Sequence, residues 1–250
     1  MLAKLLSRRG AAAPDSLPLG QRVYAVGDVH GRLDLFERLI ADIEADDLRR
    51  SPADTTVLLL GDLVDRGPDS AQVVERAIRL AESGRRVRLL QGNHEEVFLE
   101  ALAGDAKALR LFCRVGGRET AISYGLTEGE YDRADFAELH ALLDARVPEA
   151  HRRFLAGGED LIVMGDYAFA HAGIRPGRAL EEQRVHDLRW IREPFLEHRG
   201  RLEKRIVHGH TIAQEPEFRS HRIGIDTGAY ATGRLTALGL EGSQQWLIST

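Results

Sequence analysis

The chain has 250 residues, 43% of them hydrophobic, which is enough for one sizeable core in a single domain. Its formal net charge of −5 argues against a partner held by general attraction to nucleic-acid phosphates. A single cysteine, Cys113, excludes an intrachain disulfide, suits a reducing cytoplasmic setting and reads as a small buried hydrophobe. Residues 1–20 read as a flexible tail ahead of a domain at 21–250, with a weak membrane or partner contact at 1–6 as the sharper alternative. No apolar stretch approaches the ~20 residues of a membrane helix, so stable insertion is not expected.

"VYAV" (23–26), "TVLLL" (56–60) and "VRLL" (87–90) are β-branched apolar runs and predict strands. The segments between them, 33–45 and 70–83, have helical periodicity, and the alternation predicts parallel strands. Pro68–Asp69–Ser70 marks a helix start, with Asp69 or Ser70 as the cap. Residues 95–156 are helical by pattern, broken at Gly104, Gly116–Gly117 and Gly125–Gly129. Then "LIVM", "YAFAHAG", "RIVHGHT", "RIGID" and "RLTALGL" predict short strands in a second, mixed sheet. The expected architecture is α/β, with helices outside two facing mixed sheets.

The ends of the strands carry the chemistry. "GDVHGR" brings Asp28 and His30, "GDLVDRG" brings Asp62, Asp65 and Arg66, and "GNHEE" brings Asn93 and His94. "HAG" brings His171, "HGHT" brings His208 and His210, and "DTGA" brings Asp226. Ligands of open α/β folds sit beyond the carboxyl ends of strands, so these groups should converge. Carboxylate, imidazole and amide oxygen without thiolate suit hard or borderline divalent metals, and the number of groups suits two ions sharing one carboxylate. Asp28 and His30 would share a face of an extended segment. Any one of these groups alone has a plainer reading: Asn93 could cap the next helix, and an isolated "GD" often does so. Capping does not account for five strand ends of this kind. His140, His151, His186, His198 and His221 lie in helical or loop surroundings and read as surface or satisfied packing.

"GDVHG", "GDLVDRG", "GNHE", "HAG" and "GHT", in this order, resemble the calcineurin-like metallophosphoesterases, within them the phosphoprotein phosphatase group and its small bacterial and phage serine/threonine phosphatases. The resemblance runs from residue 23 to about 240. It implies a four-layer α-β-β-α sandwich (the metallophosphoesterase fold) and makes 21–250 the catalytic domain. It implies that Asp28, His30 and Asp62 hold one metal, and that Asp62 bridges to a second held by Asn93, His171 and His210. Two divalent ions are expected, manganese first, with iron, zinc or nickel possible. His94 becomes the general acid, oriented by Asp65. Arg66 grips phosphate oxygens with its planar fork. Arg192, in "RWIRE", is the second phosphate arginine, with Arg175 as a rival and Arg189 and Arg192 possible members of a solvated helix face. Glu95 supplies helix N-terminal charge or supporting hydrogen bonds, and Asp226 and His208 support the ligands.

The implied activity is hydrolysis of a phosphomonoester, with a phosphorylated protein or a small phosphoester as substrate and serine/threonine protein phosphatase as the main reading. The alternative is symmetrical hydrolysis of diadenosine tetraphosphate or related dinucleotides. Those relatives share the "GD" and "GNH" blocks but lack the acid found here at Asp65 and carry Asp where Glu95 stands, which favours the protein phosphatase. A metal-dependent binding scaffold is the non-enzymatic alternative.

Overall fold

The computed structural model describes residues 14–250. In chain order the elements are β1 (Gln21–Val26), α1 (Leu33–Arg49), β2 (Asp54–Leu59), α2 (Ser70–Glu82), β3 (Arg86–Leu89) and α3 (Asn93–Leu102). The helical middle follows: α4 (Ala106–Val115), α5 (Gly117–Ser123), α6 (Glu128–Arg133), α7 (Phe136–Arg146) and α8 (Glu149–Ala156). The remainder is β4 (Ile162–Met164), β5 (Tyr167–Phe169), α9 (Val185–Trp190), β6 (Arg205–His208), β7 (Glu217–Phe218), β8 (Arg222–Gly224), α10 (Ala229–Thr232), β9 (Thr236–Glu241) and β10 (Gln244–Ser249).

Two five-stranded sheets form, ordered β10-β9-β1-β2-β3 and β4-β5-β6-β8-β7. Each is mixed: β1, β2 and β3 run parallel, as do β5, β6 and β8, while β9, β10, β4 and β7 pair antiparallel. The two-residue side-chain period sorts each strand onto two faces. Val23, Ala25, Leu58 and Leu60 meet Tyr167, Phe169, Val207 and Ile223 between the sheets. Tyr24, Val26, Val57 and Leu59 face the other way, into a larger core under α1, α2 and the helical middle. Ala168 and Ile206 turn outward beneath Leu188, Ile191 and Phe195. The expected four layers are therefore present, with a thin outer layer over the second sheet.

Three expectations shift. "RLTALGL" was expected in the second sheet, but β9 pairs with β1, in register from Arg22↔Glu241 to Val26↔Ala237. Its neighbour β10 carried too irregular a pattern to read as a strand. Of residues 15–20, assigned to the loose tail, 15–17 are packed while Leu19 stays exposed: Leu17 joins the core between the sheets and its N–H donates to the Gly242 carbonyl at 2.9 Å. The rest of that tail, 1–13, lies outside the described residues. Asp69 takes the N-cap position of α2 but makes no side-chain hydrogen bond there, and the Ser70 hydroxyl accepts from the Asp65 N–H at 3.0 Å. Among the described residues no helix is long and apolar enough to cross a membrane.

Candidate active site

Asp28 and His30 follow β1, Asp62 to Arg66 follow β2, and Asn93 and His94 open α3 after β3. His171 follows β5 and His210 follows β6, so the two sheets bring their carboxyl ends to one place. The local backbone is forced. Among the described residues, five that are not glycine have positive φ: His30 (46°), Asp62 (51°), Asp65 (71°), Arg66 (71°) and His210 (63°). Left-handed backbone is costly for such residues and collects at functional sites. All five are residues singled out from the sequence. Glycines admit the close approaches: a Cβ on Gly209 would lie 1.9 Å from Asp28 Oδ1, and one on Gly92 would lie 2.2 Å from Asp62 Oδ1.

Asp62 is the hub. Its Oδ2 lies 3.4 Å from His171 Nε2, 3.6 Å from His30 Nε2 and 4.0 Å from His94 Nε2. Two donor clusters share it: His30, Asp62 and His94, and Asp62, His171 and His210. Asn93 Oδ1 lies 3.0 Å from His171 Nε2 and 2.8 Å from His210 Nδ1. His171 Nδ1 donates to the Leu60 carbonyl and His30 Nδ1 to the Val64 carbonyl, each at 2.8 Å. Both rings thereby turn Nε2 inward. In the neutral His171 ring that nitrogen is a lone pair facing the Asn93 and Asp62 oxygens, an arrangement that needs a cation between them. The buried Asp28 Oδ1 has no hydrogen-bond partner. The donor set therefore fits divalent metal.

Two details depart from the expected ligand pairing. His30 is left-handed, so Asp28 and His30 do not share an extended face. Asp28 lies outside both clusters, and its Oδ2 accepts the His210 N–H at 2.9 Å. Asn93 does not cap α3, since Gly92 occupies that position. Glu95 is fully buried and accepts N–H groups from Asp62 (2.7 Å), Leu63 (2.7 Å) and Gly92 (2.9 Å).

His94 Nδ1 meets Asp65 Oδ2 at 2.7 Å. Asp65 Oδ1 accepts the Thr120 hydroxyl at 2.7 Å, and the same hydroxyl accepts the Asp65 N–H at 2.8 Å. Burial works against a charged His94, but the Asp62 carboxylate and the Asp65 hydrogen bond outweigh it and raise its pKa. Arg66 nitrogens lie 2.9 Å from His30 Nε2 and 3.0 Å from His94 Nε2, so its charge lies at the mouth of the centre. Its guanidinium lies 4.8 Å over the Tyr230 ring, and that ring packs edge-on to His30 at 5.4 Å.

The other candidates separate. Arg175 is spent on Asp187 at 2.7 and 2.9 Å, which removes it as a phosphate ligand. Arg189 is not on a solvated face; it bridges Asp160 (2.6 Å) and Glu96 (3.1 Å). Arg192 is exposed; the His210 pKa is lowered first by burial and then by the His171 charge, with a smaller contribution from the Arg192 charge. Asp226 is buried, its Oδ1 accepting the Gly228 N–H at 2.8 Å, and its charge reaches Asp28. His208 turns to the Gly209 carbonyl and to Arg222, away from the donor cluster. His151 is satisfied between Tyr124 (2.9 Å) and Glu75 (3.2 Å). His221 departs from its expected class: it is buried with both ring nitrogens unpartnered. Cys113 is half-buried against the helical core. Thr120 and Tyr230 were not found from sequence. Thr120 sits in the helical middle with no local signal, while an aromatic just past "DTG" is a signal that could have been weighed.

A model of the calcineurin-like phosphoesterases matches residues 21–233. The chain belongs to that family. Its members use divalent metals held by His and Asp clusters, and the chain is an enzyme of the metallophosphoesterase class. It is 27% identical to the asymmetrical bis(5'-nucleosyl)-tetraphosphatase PrpE of Anoxybacillus flavithermus, over 85% of this chain and 88% of that protein. It is 33% identical to a symmetrical bis(5'-nucleosyl)-tetraphosphatase of Paracidovorax citrulli, over 74% of this chain and 51% of that one. With the Acidovorax sp. symmetrical enzyme the identity is 37%, over 64% and 47%. The match thus spans about half the length of the symmetrical relatives. Among solved structures, a candidate diadenosine tetraphosphatase aligns with a TM-score of 0.64 at 20% identity, covering 95% of this chain and 98% of that one. A cold-active protein-tyrosine phosphatase of Shewanella sp. aligns at 0.56 and 18%, covering 93% and 80%. These two likenesses speak for the fold.

Proposed function

We propose that this chain hydrolyses phosphoanhydride bonds of dinucleoside tetraphosphates, reversing the order of preference drawn from the sequence. The observation that carries the substrate class is the set of curated relatives, all three of which bear that name. The convergence of His30, His94 and His171 on Asp62 Oδ2 supports the reaction class.

In this reading His30, Asp62, Asn93, His171 and His210 hold two divalent ions, with Asp28 Oδ1 as the further donor. Manganese is the preferred ion, and iron, zinc and nickel suit the same nitrogen and oxygen set. Bound there, the ions neutralise phosphoryl oxygens and acidify a water for attack on phosphorus. Arg66 and Arg192 grip the phosphoryl oxygens as charge redistributes. His94 holds a proton at Nε2 for the leaving oxygen, and Asp65 fixes its tautomer through Nδ1.

The His94–Asp65 pair keeps a second reading in view. A nucleotide phosphate leaves readily, whereas a serine alkoxide needs a proton. That pair therefore favours an alkyl phosphomonoester, such as a phosphoprotein. The test strips the metal, restores Mn²⁺, and measures kcat/KM on diadenosine tetraphosphate and on a phosphoserine peptide in parallel. Dominant dinucleotide cleavage is expected. Dominant phosphopeptide turnover would move the function to a protein phosphatase, and activity without metal on either substrate would sink both readings.

A further inference from the structure

Buried polar atoms without protein partners call for an explanation, and a bound ligand is one. In the described structure Thr56 Oγ1, Arg205 Nε and Thr211 Oγ1 are further such atoms, and the others fall in two groups. Asp28 Oδ1 and His210 Nε2 lie at the centre already described. His198 Nε2, both ring nitrogens of His221, and Arg222 Nε lie elsewhere. These last groups line a cavity of about 640 Å³ with Arg199 and Arg219.

The cavity opens between the loop after α9 and the β7–β8 edge of the second sheet. His221 is 3% exposed, so its ring is held in place by packing. The His198 ring meets it edge-on at 5.1 Å, and the Phe195 ring at 5.8 Å. Phe195 also packs on His208 at 5.1 Å, and His208 Nε2 meets an Arg222 nitrogen at 3.3 Å. The cavity therefore rests on β6, the strand that leads to His210, while lying apart from the metal donors.

The lining chooses the ligand's charge. Three arginines face two carboxylates here: Glu197 in the lining, and Glu217, which pairs with Arg222 at 2.7 Å and Arg219 at 3.2 Å. No group of three imidazoles, thiols or carboxylates converges at this place, and the arginines repel a cation. Imidazole N–H groups beside planar guanidinium forks suit the oxygens of a phosphoryl group. We propose that this cavity is a second anion site, which takes the phosphoryl group of a small molecule.

The test uses the Mn²⁺-loaded enzyme, titrated with inorganic phosphate in one arm and ADP in another. Amide hydrogen exchange is followed over 196–200 and 217–224, and over 93–98 as a reporter of the catalytic centre. Protection of 196–200 and 217–224 is expected. Protection in both arms assigns the phosphoryl group itself, and protection with ADP alone assigns a nucleotide. The double variant Arg199→Gln/Arg219→Gln, which alters two exposed side chains, should weaken that protection about tenfold while leaving kcat on nitrophenyl phosphate unchanged. His221→Phe, which keeps an aromatic ring without nitrogens, should do the same. Protection confined to 93–98, or protection over 217–224 that both variants retain, overturns the site.

Discussion

Glu95 shows how one side chain can set a whole centre. Its carboxylate takes N–H groups from both the β2 and β3 loops, and so locks Asp62 against Asn93 and His94. Glu95→Gln would turn an amide donor onto those donors. The expected cost is about 2 kcal/mol, read as a lower denaturant midpoint at unchanged m. An unchanged midpoint would remove the clamp. His94→Asn tests the acid. It should lower kcat about 100-fold or more on a phosphoserine-type leaving group and far less on nitrophenyl phosphate. Equal losses on both substrates would end that role. At this scale much was legible, because each ligand type stands beside a glycine in "GD", "GNH" or "GH". Thr120 was not legible: it reaches Asp65 across 55 residues of chain, and nothing in its own neighbourhood betrays the contact.

Among the elements, β-branched apolar runs identified the central strands, and helical period identified α1 and α2. The helical middle supports the site from outside. The Gly116 carbonyl accepts the Arg66 N–H at 3.0 Å, and a Cβ on Gly116 would lie 2.7 Å from that nitrogen. The glycine pair that read as a helix break is therefore also a close approach. At α6, Arg146 and the Thr127 cap hold Glu130 down from 4.5 to about 2. A carboxylate depressed in the folded state stabilises it above the unfolded pKa, and that gain is lost as pH falls through the folded one. The stability difference between the protein and Glu130→Gln should therefore shrink from about pH 5 to about pH 2. The group is partly open to solvent, so the effect is small. A difference that stays constant over the window would contradict the assignment. Sheet membership of β9 was missed because an apolar run states that a strand exists, not which strand it pairs with.

For the molecule as a whole, the donor set joins two sheets. Asp28, Asp62 and Asn93 come from the first, and His171 and His210 from the second. A metal held by both would act as a cross-link, and binding to the folded state alone adds stability by mass action. Chelation should lower Tm by about 5–10 °C, with recovery on adding Mn²⁺. A Tm indifferent to metal would argue against ligands drawn from both sheets.

By itself the sequence determined most of the strands, the candidate donor residues at their ends and the metallophosphoesterase class they imply. Each of these depends on residues close together in the chain, where period and spacing act. The tertiary structure decided the rest. It placed β9 beside β1, tied Arg175 to Asp187, turned the Glu95 carboxylate onto two loops, and left His221 unpartnered at the edge of the second sheet. Those outcomes depend on which distant groups meet, and that is settled by packing between elements rather than by any local pattern.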